Sequence, residues 1–260
     1  MLKSKVDYSN FRKALLCLFS FLIFISCNSQ PTTYSERAIS HDMWNTLLEK
    51  YVSKEGEVDY LAFKKDTALF YRYLDLLSNN APDPEKWTRE EQLAFWINAY
   101  NAFTVKLIID HYPLQSIKDI TALNIPKISS PWTMNFFEIG GKSFNLDKIE
   151  HEILRKEFDE PRIHFAVNCA AVSCPKLLNE SYKADKLDEQ LEKQASYFLN
   201  NSGKNKLNKN KVSLSKIFSW YKADFTSKGT LIDFLNRYAK MKINANAEIE
   251  YLEYDWGLNE

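Results

Sequence analysis

Apolar positions recur at helical spacing through the first half of the chain. Met43, Trp44, Leu47, Leu48 and Tyr51 predict one amphipathic helix, and Leu69, Phe70, Tyr73, Leu74 and Leu77 a second. Thr88-Arg-Glu-Glu91 is a capping box, in which hydroxyl and carboxylate each satisfy an otherwise unpaired backbone donor. The run behind it, through Phe95, Trp96, Tyr100, Phe103, Val105, Leu107 and Ile108, predicts a central helix of about 24 residues that stops before Pro113.

Beyond Pro113 the pattern changes. Two β-prone runs between Asn135 and Phe144 flank Gly140-Gly141 and predict a hairpin. A helix over 146–158 follows, with Asn145 as its cap, a core stripe of Ile149, Ile153 and Leu154, and His151 beside that stripe. Alternation over 162–168 predicts a strand sending Ile163, Phe165 and Val167 to the core and His164, Ala166 and Asn168 to the opposite face. Pro175 suits the first turn of a short helix over 176–180, which would set Cys174 near its N-cap. A polar helix over 185–200 leads into a lysine- and asparagine-rich connection over 201–211, read as a solvated loop. Val212 to Leu214 is a strand, 217–225 and 231–238 are helices, and 249–256 alternates like a closing strand. Helices outnumber short, irregularly placed strands. The class is α+β: a single, helix-rich domain with a small, mainly antiparallel sheet.

The N-terminus changes the picture of where the domain works. Lys3, Lys5, Arg12 and Lys13 precede an apolar run from Ala14 to Ile25, and Phe24-Ile25-Ser26-Cys27 has the form of a lipobox. The run is too short to span a bilayer as a helix, so 1–26 is expected to be a lipoprotein signal peptide, Cys27 the acylated residue and 27–37 a polar tether, with the domain over 38–260. The expected location is the cell envelope, lipid-anchored, at the outer membrane facing the periplasm. The 34 basic and 34 acidic residues balance, and loss of the leader tips the remainder to a net charge near −3, which argues against a nucleic-acid partner. Oligomeric state is not legible in the sequence.

Of four cysteines, Cys17 leaves with the leader and Cys27 takes lipid, so Cys169 and Cys174 alone are open to nucleophilic, redox or metal chemistry. An oxidising compartment makes a Cys169–Cys174 disulfide one reading. A helix N-cap beside an imidazole would instead favour a Cys174 thiolate. Asn98 and Asn101, three apart among apolar neighbours, are expected to share a buried face, either orienting a ligand or catalytic group or pinning loop backbone.

Several separated segments resemble the domain-of-unknown-function 547 family: Ala94-Phe-Trp-Ile-Asn-Ala-Tyr-Asn-Ala102, Leu146-Asp-Lys-Ile-Glu-His151 with Ile153-Leu-Arg155, Arg162-Ile-His-Phe-Ala-Val-Asn-Cys169 and Ser173-Cys-Pro175. Leu214-Ser-Lys-Ile-Phe-Ser-Trp-Tyr-Lys-Ala-Asp-Phe225 and Tyr254-Asp-Trp-Gly-Leu-Asn259 are similar to it as well, so the family-like region runs from about 91 to 259. Ala170 stands where that pattern usually has Gly, and Gly257 where Ser is common. The resemblance implies no settled function, but it directs attention to Asn98, Asn101, His151, Arg162, His164, Asn168, Cys169 and Cys174.

Three functional readings follow. In the first, Cys174 performs acyl transfer or hydrolysis on a peptide-like or amide substrate, with His151 or His164 as base and Asn98, Asn168 or Glu150 holding that base. In the second, a non-catalytic module binds a small molecule, peptide or cell-wall fragment among Trp96, Tyr100, His164 and Asn168, with Asn98, Asn101 and Arg162 as further ligand contacts. In the third, His151, His164, Cys169 and Cys174 hold zinc; their spacing lacks the close pairs of structural zinc sites, so no metal or other cofactor is assigned.

Overall fold

The computed structural model describes residues 32–120 and 130–260, so the leader and the lipobox lie outside the described residues. The expected α+β arrangement is what the chain adopts, with helices enclosing two clusters of apolar side chains.

The first cluster is built by α1 (Asp42–Tyr51), α2 (Tyr60–Lys65), α3 (Ala68–Asn79) and α4 (Arg89–His111). α4 is the predicted central helix: the Thr88–Glu91 capping box forms, and the helix ends one residue before the Tyr112–Pro113 bond. From Leu93 to Val105 every residue is buried, so polar side chains on this stretch must find partners inside the protein. Trp44 stacks on Tyr73 with ring centroids 5.7 Å apart and packs against Phe70 and Phe63. The second cluster is aromatic and C-terminal: Phe165, Phe198, Phe218, Phe225 and Phe234 pack between α5 (Leu187–Asn200), the short α6 (Ile217–Trp220) and α7 (Lys222–Phe225), and α8 (Leu231–Tyr238).

Among the described residues the strands form three small sheets, not the one mainly antiparallel sheet expected, and two of the four pairings are parallel. β1 (Tyr34–Ser35) runs parallel to β2 (Ala81–Pro82), so the last residues of the expected tether are packed onto the domain, where the Trp87 indole donates to the Ser35 carbonyl at 2.7 Å. β3 (Phe137–Ile139) and β4 (Lys142–Phe144) make the predicted hairpin across Gly140 and Gly141, both at positive φ. β6 (Lys211–Leu214) pairs antiparallel with β5 (Lys206–Leu207) and parallel with β7 (Glu248–Tyr251). β7 is half the expected length. After Leu252 the chain crosses to the cysteine loop, where the amides of Val172 and Ser173 donate to the carbonyls of Gly257 and Asp255.

Two expectations about the cysteine segment are corrected. Residues 161–165 form a 3-10 helix begun by Pro161, not a strand. A strand there would need a neighbouring strand for its backbone groups, whereas the Asn101 side chain takes them: its amide donates to the Ala166 carbonyl at 2.9 Å and its oxygen accepts from the Asn168 N–H at 2.8 Å. No helix forms over 176–180. The Pro175 and Lys176 carbonyls are taken by the side chains of Asn168 and Gln194 instead of a helical turn, so Cys174 has no helix N-cap around it. The predicted helix over 217–225 is broken at Tyr221 into α6 and α7.

Candidate functional site

The helix predicted over 146–158 is wound as a π-helix from Lys148 to Leu154, capped by the Asn145 side chain accepting from the Lys148 N–H at 2.7 Å. Such widened turns bring neighbouring side chains to one side of a helix and often mark functional sites. Here Asp147, Glu150 and His151 all face one cavity of about 290 Å³. The 3-10 helix supplies His164, the cysteine loop Cys169 and Cys174, α4 supplies Tyr100, and α6 with its following residue gives Trp220 and Tyr221. The C-terminal segment adds Tyr254 and Trp256, against which Trp132 packs edge-on.

His164 is the most constrained of these groups. Its Nε2 lies 2.7 Å from Asp224 Oδ2, and Asp224 is also gripped by Arg155, at 2.6 Å through Nε and 2.9 Å through a terminal nitrogen. Desolvation alone would raise the Asp224 carboxyl, but hydrogen bonds from His164 and Arg155 hold it well below the usual carboxylate range. Burial pulls His164 below its ordinary value despite that carboxylate, which makes the imidazole neutral at pH 7. An ionised Asp224 can only accept, so Nε2 carries the proton and Nδ1 keeps a lone pair. That Nδ1 is buried and has no hydrogen-bond partner among the described residues, while the ring stacks on Tyr221 with centroids 3.9 Å apart. His151 is set differently: Arg155 donates to its Nδ1 at 2.9 Å, and its Nε2 stands 3.5 Å from Asp147.

Cys169 and Cys174 are joined as a disulfide, with Cα atoms 6.2 Å apart. The bridge forms part of the cavity wall. Cys174 Sγ accepts from the Cys169 N–H at 2.8 Å, Cys169 Sγ lies 3.2 Å from the Tyr254 hydroxyl, and Ala170 between them takes a left-handed φ of 60°. Lys204, from the lysine-rich connection expected to be solvated throughout, donates to the Cys174 carbonyl, and burial pulls its pKa down to about 8. Glu150 is 6% exposed. Burial raises Tyr100 and Tyr221 well above the ordinary phenol value, and the Glu150 carboxylate that each hydrogen-bonds raises them further, so both phenols keep their protons to donate.

Of the residues expected at a site, the structure brings Glu150, His151, His164, Cys169, Cys174 and Tyr100 around one cavity. It places the others elsewhere. Asn98 bonds the backbone of Tyr182 in both directions, at 2.8 and 3.0 Å, and Asn101 bonds Ala166 and Asn168, so both amides pin loops onto α4. Asn168 holds the loop closed through Ala170 N–H and the Pro175 carbonyl. Trp96 packs against Phe144 and lines a different cleft, and Arg162 is an external clamp on Glu160, Asp188 and Glu192. Among the described residues no group of three or more His, Cys, Asp or Glu side chains is placed to hold a metal ion. Asp224, which orients His164, and the aromatic wall of Trp132, Trp220, Tyr254 and Trp256 were not singled out from the sequence. All but Trp132 stand in the family-like segments 214–225 and 254–259.

No curated protein and no solved structure matches this chain. Residues 84–199 match the family described as a protein of unknown function, DUF547, which spans α4, the π-helix, the cysteine loop and α5 but stops before the segments that contribute Asp224 and most of the aromatic wall. Over that segment the chain is similar to the DUF547 family.

Proposed function

We propose that the domain is a ligand-binding module of the cell envelope that holds a small peptide-like or amide ligand in the His164 cavity while the cysteine pair is closed. One observation carries the reading: the wall that would hold a nucleophilic thiolate holds a Cys169–Cys174 disulfide, and the neighbouring His164 Nδ1 is a buried acceptor with nothing to accept from. A bridged sulfur cannot attack a carbonyl, whereas an unpartnered acceptor in an aromatic pocket is what a ligand N–H or O–H would satisfy. Trp132, Trp220 and Trp256 make the test direct, since each lines the cavity and should report occupancy by fluorescence. Short N-acetylated peptide amides titrated into the oxidised protein should change that signal without being cleaved. Absence of any response in both redox states would remove the binding reading.

A second reading has a specific observation behind it. His164 is oriented by Asp224 as a general base must be, and Cys174 lines the same cavity. Two-electron reduction of the bridge by an external dithiol would return two thiols, and Cys174 could then act in acyl transfer. Turnover of an amide or ester only after reduction, lost in Cys174→Ser, would replace the binding reading with this one.

The envelope location rests on the lipobox Phe24-Ile25-Ser26-Cys27 and the basic residues before it. Acylated Cys27 would tether the domain to the outer membrane on its periplasmic side. Cys27→Ala should move the protein into the soluble fraction; membrane retention with an uncleaved N-terminus by intact mass would overturn the assignment.

A further inference from the structure

The charge and shape of the cavity specify the ligand more narrowly than the binding reading does. Among the described residues no lysine or arginine lines it, while Asp147 and the buried Glu150 both do. The nearby cations are committed elsewhere: Arg155 to Asp224 and His151, Lys204 to the Cys174 carbonyl, and Lys118 to the ring of Trp256, 3.8 Å from its centroid. Among the described residues around the π-helix, one guanidinium therefore faces three carboxylates, those of Asp147, Glu150 and Asp224. Tyr100 and Tyr221 hydrogen-bond the Glu150 carboxylate but bring no charge, so a cation arriving from outside would still be favoured there.

The remaining wall is aromatic. Trp220, Tyr254 and Trp256 stand in mutual contact with centroid separations of 4.5 to 5.8 Å. Ring faces attract cations, and the Lys118 contact shows one of these rings already engaging an ammonium. Carboxylates and rings alone would accept any cation, including one without hydrogens on nitrogen. The orphaned Nδ1 of His164, a side chain 1% exposed, adds the requirement for an N–H donor.

We propose that the cavity recognises a protonated amine: an ammonium group carrying N–H that donates to His164 Nδ1, is neutralised by Glu150 and Asp147, and lies against the Trp220–Tyr254–Trp256 wall. The proposal rests on the binding reading and adds the chemical class of the ligand. At about 290 Å³ the cavity suits an amine-bearing side chain or a small amine, not a folded partner.

The test uses two probes of nearly equal size, Nα-acetyl-lysine methylamide and its norleucine counterpart, titrated into the oxidised protein with tryptophan fluorescence as readout. The lysine probe should bind about tenfold tighter than the norleucine probe and weaken as salt is added. Glu150→Gln should reduce that preference to about twofold or less. Because Glu150 is buried, circular dichroism must show the variant folded; if it is not, Asp147→Asn, whose side chain is 42% exposed, should cut the preference in the same direction. Equal or tighter binding of the norleucine probe would overturn the amine assignment and leave the binding reading standing. Binding of neither probe, with neutral peptide amides also silent, would overturn both.

Discussion

Two buried polar regions lie on opposite flanks of the cysteine segment and differ in one respect. On α4, Asn98 and Asn101 use both ends of their amides on backbone groups, at 2.8 to 3.0 Å, and want nothing more. Across the segment, His164 is just as buried, and Asp224 satisfies only its Nε2. A saturated polar group is architecture: it specifies how a loop sits on a helix. An unsaturated one, in a cavity with a carboxylate beside it, has capacity left for a ligand.

The largest effect should come from breaking the saturated region. Asn101→Leu leaves a buried carbonyl and a buried N–H unpaired, so denaturant unfolding should show a loss of about 3 kcal/mol, with ligand response retained in the fraction that folds. An unchanged midpoint would show that the amide is dispensable and that the contrast with His164 is false.

Asp224→Asn tests the other side. It removes the charge that orients His164 and that Arg155 grips, and should cost about 1–2 kcal/mol, because the ion pair is a quarter open to solvent and is screened. The sign of its pH dependence follows from its depressed carboxyl. The unfolded carboxylate takes up a proton at higher pH than the folded one, so the stabilisation is complete above the ordinary carboxyl range, declines as pH falls below it, and is lost only as pH falls through the depressed folded value. Acid unfolding of the parent should be steeper below about pH 4 than that of the variant.

His41 offers a smaller effect in a separate window. Its Nδ1 is satisfied by the Tyr73 hydroxyl at 2.7 Å, and burial lowers its pKa to about 4. Protonation thus favours the unfolded chain, and His41 should contribute a loss of stability as pH drops from about 6.5 toward 4. His41→Gln should flatten that part of the curve; a slope unaltered by the change would place the titration elsewhere, with His164 the first alternative. The smallest effect is expected from Ala170→Gly. Ala170 sits at φ 60°, which costs a side chain more than it costs glycine, so the replacement should raise stability by about 0.5 kcal/mol without altering the bridge.

The left-handed φ of Ala170 is a conformation that glycine adopts at lower cost, a feature this sequence, with Ala there, did not announce. Much of the frame was visible with its cause. The Thr88–Glu91 box and the burial of α4, the Gly140-Gly141 hairpin, the Asn145 cap, and α1, α3, α5 and α8 all follow from local spacing and capping chemistry. The density of His164, Cys169 and Cys174 on one segment was legible, and the structure puts all three around one cavity.

The segment's own conformation was not. Alternation over 162–168 has the period of a strand, yet a side-chain amide more than sixty residues earlier in the chain claims the backbone groups a strand would need. Local pattern therefore determined which residues form helices, where they are capped and which faces are apolar, because those depend on neighbours within a few positions. Only the tertiary structure decided that His164 is held by Asp224 and Arg155, that the two cysteines are closed on each other, and that Glu150 is buried beneath an aromatic wall. Each of these is a contact between distant parts of the chain, whose strength and charge balance depend on burial that no local spacing encodes.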